Sequence, residues 1–295
     1  MLAFLIYNSQ MPSPKDYLIS IQHESGGWGY SRSHRPVVEP TAVAILALRS
    51  EPGANESIQR GISWLLSCQN ADGGWGIHED DPESGWQTAW ALIALRYTNQ
   101  DQDMIIRAAE WLAYVGTYHI QHEQFQKSEI PENANPGSMV WPWLPGQAGW
   151  IEPTALAVLA LEGLIRPPFA LTRINAALAY FRKYRTPSGG WDMGNASAID
   201  NIIFPRSFQT ALVLMALSRV APQEIKPNDI SVMREDLMRD QDVLFFSAGY
   251  LAIKTLGESD EMLLSYLKEN QIKNGSWEDN PFFTAWAMMA LRGYL

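Results

Sequence analysis

The chain has 295 residues, of which 46% are apolar and 18% charged, and its formal net charge is −10. That is enough apolar material for a large core, and an acidic chain repels phosphate backbones, which excludes nucleic acid as a natural partner. Cys68 is the only cysteine, so internal disulfides and zinc sites with two or more thiolates are excluded, and a reducing cytoplasm fits best.

The opening MLAFLIY is apolar but lacks a basic n-region and a small-residue cleavage site, so it does not read as a signal peptide. No apolar run reaches the about 18 residues needed to cross a bilayer, so contact with a membrane is peripheral at most. Residues 14–22 read as a first short helix, and HESGGWGYSRSHRPVV as the turn and loop behind it. Glu39 then precedes PTAVAILALRS, a helix with Pro40 at its first position, where the missing N–H is harmless. So little of it is polar that it must be buried on nearly all sides.

A second pair follows over 56–69 and 85–97, and a third outer helix over 102–114. The long segment 115–149 holds Trp141 and Trp143, with Trp150 just behind it, which argues for an ordered loop; Glu152-Pro153-Thr154 then opens ALAVLALEGL. A fourth pair spans 171–184 and 206–219, joined by TPSGGWDMGNASAIDNIIFP. The fifth, 228–239 and 242–256, has almost no connecting loop, and the sixth is 258–270 and 282–293. Each pair couples one amphipathic with one apolar helix. Units with an unsatisfied apolar face must stack, and a closed ring leaves no exposed end. The expected fold is therefore an all-α (α/α)6 toroid over residues 1–295, apolar helices inside and amphipathic helices outside.

Four turns carry Gly-x-Trp: Gly26-Gly27-Trp28, Gly73-Gly74-Trp75, Gly189-Gly190-Trp191 and Gly275-Ser276-Trp277. Three follow an aromatic-leucine pair and a glutamine, as in Trp64-Leu65 and Gln69. Glycine suits the left-handed residue that ends a helix, and the glutamine amide can satisfy the backbone groups orphaned there.

This pattern resembles the QW motif of the squalene–hopene and oxidosqualene cyclases, Arg60-Gly61, Trp64-Leu65, Gln69, Gly73 and Trp75 being a full match. The wider group includes class II diterpene cyclases and the β subunits of protein prenyltransferases. The resemblance covers nearly the whole chain and implies the toroid; the motif itself is structural in that family. Triterpene cyclases use two such helical domains with the cavity between them, so a second subunit or a homodimer could complete a site here. The prenyltransferases bind zinc through Asp, Cys and His at inner-helix starts. Here those starts carry no cysteine, so a zinc prenyltransferase is rejected.

The class II cyclases protonate an alkene with the middle Asp of a DxDDTA motif. Matching Thr-Ala to Thr41-Ala42 puts Glu39 at that place, and matching it to Thr154-Ala155 puts Glu152 there. The flanking Asp positions hold Val37 and Pro40, or Trp150 and Pro153. Protonating an alkene needs a carboxyl kept neutral in a dry apolar pocket. Against this stands a capping role, since a carboxylate at a helix N-terminus favours the macrodipole.

Glu79, Asp80 and Asp81, behind His78, could hold Mg²⁺ or simply form a solvated loop, and no other cofactor is implied. Trp86, Trp90 and Trp286 on inner helices, with Trp141, Trp143 and Trp150, could line a cavity and stabilise carbocations, or could be ordinary core. Arg32, His34 and Arg35 could bind a diphosphate near a helix N-terminus, or lie exposed. Three functions compete. The first is a terpene-cyclase-like enzyme acting on an isoprenoid with Glu39 or Glu152 as general acid. The others are a non-catalytic module binding an isoprenoid or other apolar ligand, and a carbohydrate-active (α/α)6 enzyme with two carboxyls across an open groove.

Overall fold

A computed structural model describes residues 12–98, 102–115, 139–164, 167–194 and 206–294. The opening MLAFLIY, most of the segment between the third pair of helices, and residues 195–205 of the fourth connection lie outside the described residues.

Among the described residues twelve α-helices alternate in character. The amphipathic ones are α1 (Pro14–Ser20), α3 (Asn55–Ser67), α5 (Gln102–Tyr114), α7 (Phe169–Tyr184), α9 (Pro227–Arg239) and α11 (Glu261–Glu269). Between them run α2 (Val38–Leu48), α4 (Gln87–Tyr97), α6 (Ile151–Leu161), α8 (Ser207–Val220), α10 (Val243–Thr255) and α12 (Pro281–Arg292). Every residue of α2 is buried, and α6 is buried but for Glu152. The even helices pack in the order α2–α4–α6–α8–α10–α12, and α12 returns to α2. The odd helices lie outside them, and the fold is the (α/α)6 toroid.

The Gly-x-Trp turns hold each outer helix to the next inner one. Each turn indole donates to a carbonyl of the preceding outer helix: Trp28 to Leu18, Trp75 to Leu65, Trp191 to Phe181 and Trp277 to Leu267, at 2.7–2.8 Å. Each turn backbone N–H donates to a threonine hydroxyl one turn into the inner helix, namely Thr41, Thr88, Thr210 and Thr284, at 2.8–3.1 Å. Both partners are buried, and an unmade bond there costs about 1–3 kcal/mol. Gln22, Gln69 and Gln271 donate to the carbonyls of Gly26, Gly73 and Gly275.

A fifth turn has the same wiring without the glycines. Trp141 donates through its indole to Leu112 O and through its backbone to Thr154 Oγ1. Trp141 is therefore a turn tryptophan, which the sequence pattern hides.

Helix starts also differ from expectation. The second and sixth helices begin at Val38 and Ile151, so Glu39 and Glu152 sit inside the first turn, with Pro40 and Pro153 third. The leading N–H groups find partners in neighbouring loops: Val38 donates to Ile77 O at 2.9 Å and Ile151 to Met193 O at 3.2 Å. No side chain caps either helix, so the glutamates are not needed as caps.

Candidate functional site

The threonine register aligns five inner helices. Two residues before Thr41, Thr88, Thr154, Thr210 and Thr284 stand Glu39, Trp86, Glu152, Phe208 and Phe282. One level of the ring, at the N-terminal ends of its inner helices, thus carries two carboxyls and three aromatic rings.

Further aromatics pack across the ring. Trp90 meets Trp286 edge to face at 5.6 Å, although α4 and α12 are separated by α2. Phe208 lies 5.7 Å from Trp286 and 5.8 Å from Phe245, and Phe282 lies 5.4 Å from Tyr30. Trp90 and Trp286 are almost wholly buried and fill the space between these helices. Such faces attract a cation by up to about 2 kcal/mol where water is excluded.

Glu39 is 8% exposed and accepts a hydrogen bond from the Tyr30 hydroxyl. Burial pushes its carboxyl up to about 8, against the opposing pull of Tyr30, and repulsion from Glu152 adds to the rise. The Trp90 indole N–H also favours the Glu39 anion. It lies beyond hydrogen-bond geometry, however, and has no acceptor there.

Glu152 accepts from Gln209 Nε2 at 3.1 Å. Burial lifts its carboxyl to about 7, against the opposing pull of the Gln209 donor. Repulsion from both carboxylates raises the Tyr30 phenol, after burial as the main cause. The two glutamates therefore share a field, and burial overrides the helix N-terminus, which by itself would favour the anions.

Glu152 borders a small pocket with Trp143, Trp150, Met193 and Gln209. That pocket shares Met193 and Gln209 with a cleft of about 220 Å³ whose walls include Arg206, Phe208, Asp236 and Phe245. Trp86 and Trp143 stack edge to face at 5.0 Å, and the Trp86 N–H donates to Trp143 O. Both border an apolar pocket with Trp111, Trp141 and Leu144.

The remaining candidates lie elsewhere. Arg32, His34 and Arg35 are exposed; Arg32 lies over the Tyr17 ring and Arg35 pairs with Asp80 at 3.5 Å. Asp81 accepts the Ile77 and Glu83 backbone N–H groups, tying its carboxylate into its own loop. Among the described residues no group of three or more His, Cys, Asp or Glu gathers to hold a metal ion, so the Mg²⁺ expectation at Glu79, Asp80 and Asp81 finds no cage. Cys68 is buried, and burial raises its thiol to about 11, which makes it unreactive. Tyr30, Gln209, Phe208, Phe245 and Phe282 escaped the sequence reading. The threonine register would have found Phe208 and Phe282; nothing local marks Tyr30.

Residues 11–120 match the family model of the squalene-hopene cyclase N-terminal domain, in keeping with the resemblance that the turns carry. No curated protein matches the sequence. Among solved structures, the type II terpene cyclase MstE from Scytonema, bound to its product merosterolic acid A, superposes with TM-score 0.62 at 16% identity, covering 95% of this chain and 94% of that one. A protein from Actinoplanes gives 0.63 at 17% identity, over 95% and 97%. An alpha-amylase from Clostridium perfringens gives 0.66 at 12%, over 96% and 97%. At these identities the likeness is one of fold. MstE is covered almost completely by one ring, so a second helical domain is not general to this fold.

Proposed function

We propose that the chain is a terpene-cyclase-like enzyme that binds an isoprenoid against the aromatic wall of its ring and protonates it from Glu39 or Glu152. One observation carries this reading: two carboxyls at equivalent places of the ring, one buried and one partly buried, neither used as a helix cap, both raised to about 7–8 beside aromatic faces. A neutral carboxyl in a dry aromatic site is what alkene protonation requires. A class II cyclase from Scytonema with the same fold is seen with geranylgeranyl dihydroxybenzoate as substrate, which makes an isoprenoid chain the first ligand to test.

The experiment is incubation with prenyl diphosphates of 10–20 carbons and with squalene, followed by product analysis. Wild-type protein is expected to give isomeric products, and Glu39→Gln or Glu152→Gln, whichever removes the acid, to lose at least about 100-fold in turnover, the usual share of a general acid. Unchanged turnover in both variants would remove the proposal. The packing of Trp90 against Trp286 favours a second reading, in which an apolar ligand is bound without conversion; binding without product in the wild type would support it. The likeness to an alpha-amylase is of fold alone, and carboxyls set among aromatic rings do not resemble an open polar sugar groove.

A further inference from the structure

The entrance to the ring holds a second arrangement beside the glutamate at its rim. Glu152 borders a pocket with Trp143, Trp150, Met193 and Gln209. Gln209 donates to its Oε2 at 3.1 Å, and among the described residues its Oε1 receives no hydrogen bond. The adjoining cleft, about 220 Å³, sets the rings of Phe208 and Phe245, 5.8 Å apart, beside Asp236 and Asp240. Among the described residues Arg206 is the one basic side chain on these walls, against three carboxyls. The leading N–H groups of the helices that open here are occupied. Ser207 donates to Asp236 at 2.7 Å, Leu244 and Phe245 to Asp242, and Ile151 to Met193 O. A phosphate entering the cleft therefore finds the first donors of each helix already taken, and carboxylates beside the guanidinium.

We infer that this cleft takes a cationic group, an organic ammonium at the end of an apolar ligand, in preference to a diphosphate. The inference rests on the functional reading above for the apolar chain and deepens it by naming the polar end. Carboxylates attract the charge, and ring faces hold an alkylated nitrogen that carries little water of its own. A metal ion fits poorly, because hard cations need several oxygen ligands and no group of three or more His, Cys, Asp or Glu gathers among the described residues. The rings also give the chain a path. Phe208 lies 5.7 Å from Trp286, which meets Trp90 at 5.6 Å. An apolar chain anchored in the cleft thus runs along contiguous faces towards the ring centre.

The test compares three ligands with the same farnesyl chain: farnesyltrimethylammonium, its uncharged counterpart with carbon in place of nitrogen, and farnesyl diphosphate. Titration calorimetry is run at about pH 8, where the Glu152 carboxyl, raised to about 7, is mostly ionised. The wild type is expected to bind the ammonium at least about tenfold more tightly than the uncharged counterpart, and more tightly than the diphosphate. The Asp240 side chain is exposed and makes no hydrogen bond among the described residues, so Asp240→Asn leaves the fold alone. Asp240→Asn and Phe245→Leu are each expected to shrink the ratio of ammonium to counterpart to about threefold or less. Glu56→Gln, on the exposed surface of α3, removes one negative charge elsewhere and should leave that ratio unchanged.

A wild-type ratio near one, or tighter binding of the diphosphate, overturns the inference. So does a ratio that stays high in both Asp240→Asn and Phe245→Leu, which would place the ammonium among the rings at the centre and not in the cleft. A ratio that falls equally in Glu56→Gln would reduce the preference to the net charge of the chain and overturn it too. If the ammonium binds as expected but the wild type converts no isoprenoid, it is the functional reading that fails, and the cation site stands. If isoprenoids are converted by a protein that does not separate the ammonium from its uncharged counterpart, the functional reading stands and the cation site falls.

Discussion

Glu39 links the chemistry of the site to the stability of the fold. Its carboxyl is raised by burial from an ordinary 4.5 to about 8, so the folded state binds this proton more tightly than the unfolded state does. The stabilisation is complete below about pH 4.5, shrinks as pH rises towards 8, and is flat beyond, each unit within that window being about 1.4 kcal/mol at most. Glu152, raised to about 7, adds a similar slope that ends earlier. Urea denaturation is therefore expected to show the wild type losing stability from pH 5 to pH 8, by up to roughly 6 kcal/mol for the two groups together. Glu39→Gln, which carries no charge to bury, should lose visibly less; equal losses would mean that Glu39 does not keep its proton in the fold. Both glutamates were legible in the sequence because EPTA occurs twice at the head of an apolar helix. Their enclosure was not legible, because Tyr30 and Gln209 are brought in from a loop and from another helix, at separations no local pattern encodes.

Among the elements, the turns are the most regular devices in the molecule, and the third shows how the pattern survives when its letters change. Arg60 on α3 donates to His23 and Glu24 carbonyls of the turn before it, and Arg107 on α5 donates to Asn70 and Ala71. Arg173 on α7 does the same with far greater burial. It donates to the carbonyls of Leu112, Ala113, Val115, Met139 and Val140 and lies 3.9 Å over the Trp141 ring. Burial lowers its guanidinium to about 9, so it keeps its charge at neutral pH, and among the described residues no carboxylate pairs with it. The carbonyls at the end of α5 serve as its counter-charge, helped by the helix dipole. Arg173→Met keeps the stem but strands several buried carbonyls, and is expected to destabilise the protein by about 3 kcal/mol. Arg60→Met, at an exposed bond to two loop carbonyls, should lose less than about 1 kcal/mol. Similar midpoint shifts for the two in denaturant would contradict this account. The sequence showed four turns and missed this one because Met139-Val140 stands where the others carry glycine, and an arginine from the next unit secures it.

The whole molecule depends on whether the sixth unit meets the first, and a pair of glycines separates a closed ring from an open stack. In three turns the leading glycine has a positive φ and abuts the next outer helix: a Cβ at Gly26 would lie 2.5 Å from Arg60 O, one at Gly73 2.8 Å from Arg107 O, and one at Gly189 3.0 Å from Asn228 C. Gly275, with φ +88°, lies in the sixth helix pair, and a Cβ there would strike the backbone of Pro12 and Ser13, just ahead of α1. The inner layer closes at the same seam through α12 against α2, and Arg292 pairs with Glu51 across it. Counting six helix pairs in the sequence was enough to expect closure, because a terminal pair would otherwise expose an apolar face; the contacts at the seam could not be read from it. In a closed ring the end units are as confined as the middle ones. Gly275→Ala and Gly73→Ala should then cost about the same, roughly 2–4 kcal/mol each, from left-handed strain plus a backbone clash that no side chain can relieve. In an open stack the first segment would swing aside, and Gly275→Ala would cost only about 1 kcal/mol of strain. Denaturation midpoints of the two variants measured side by side decide between these outcomes, and a cheap Gly275→Ala would also remove the enclosure that raises the Glu39 and Glu152 carboxyls.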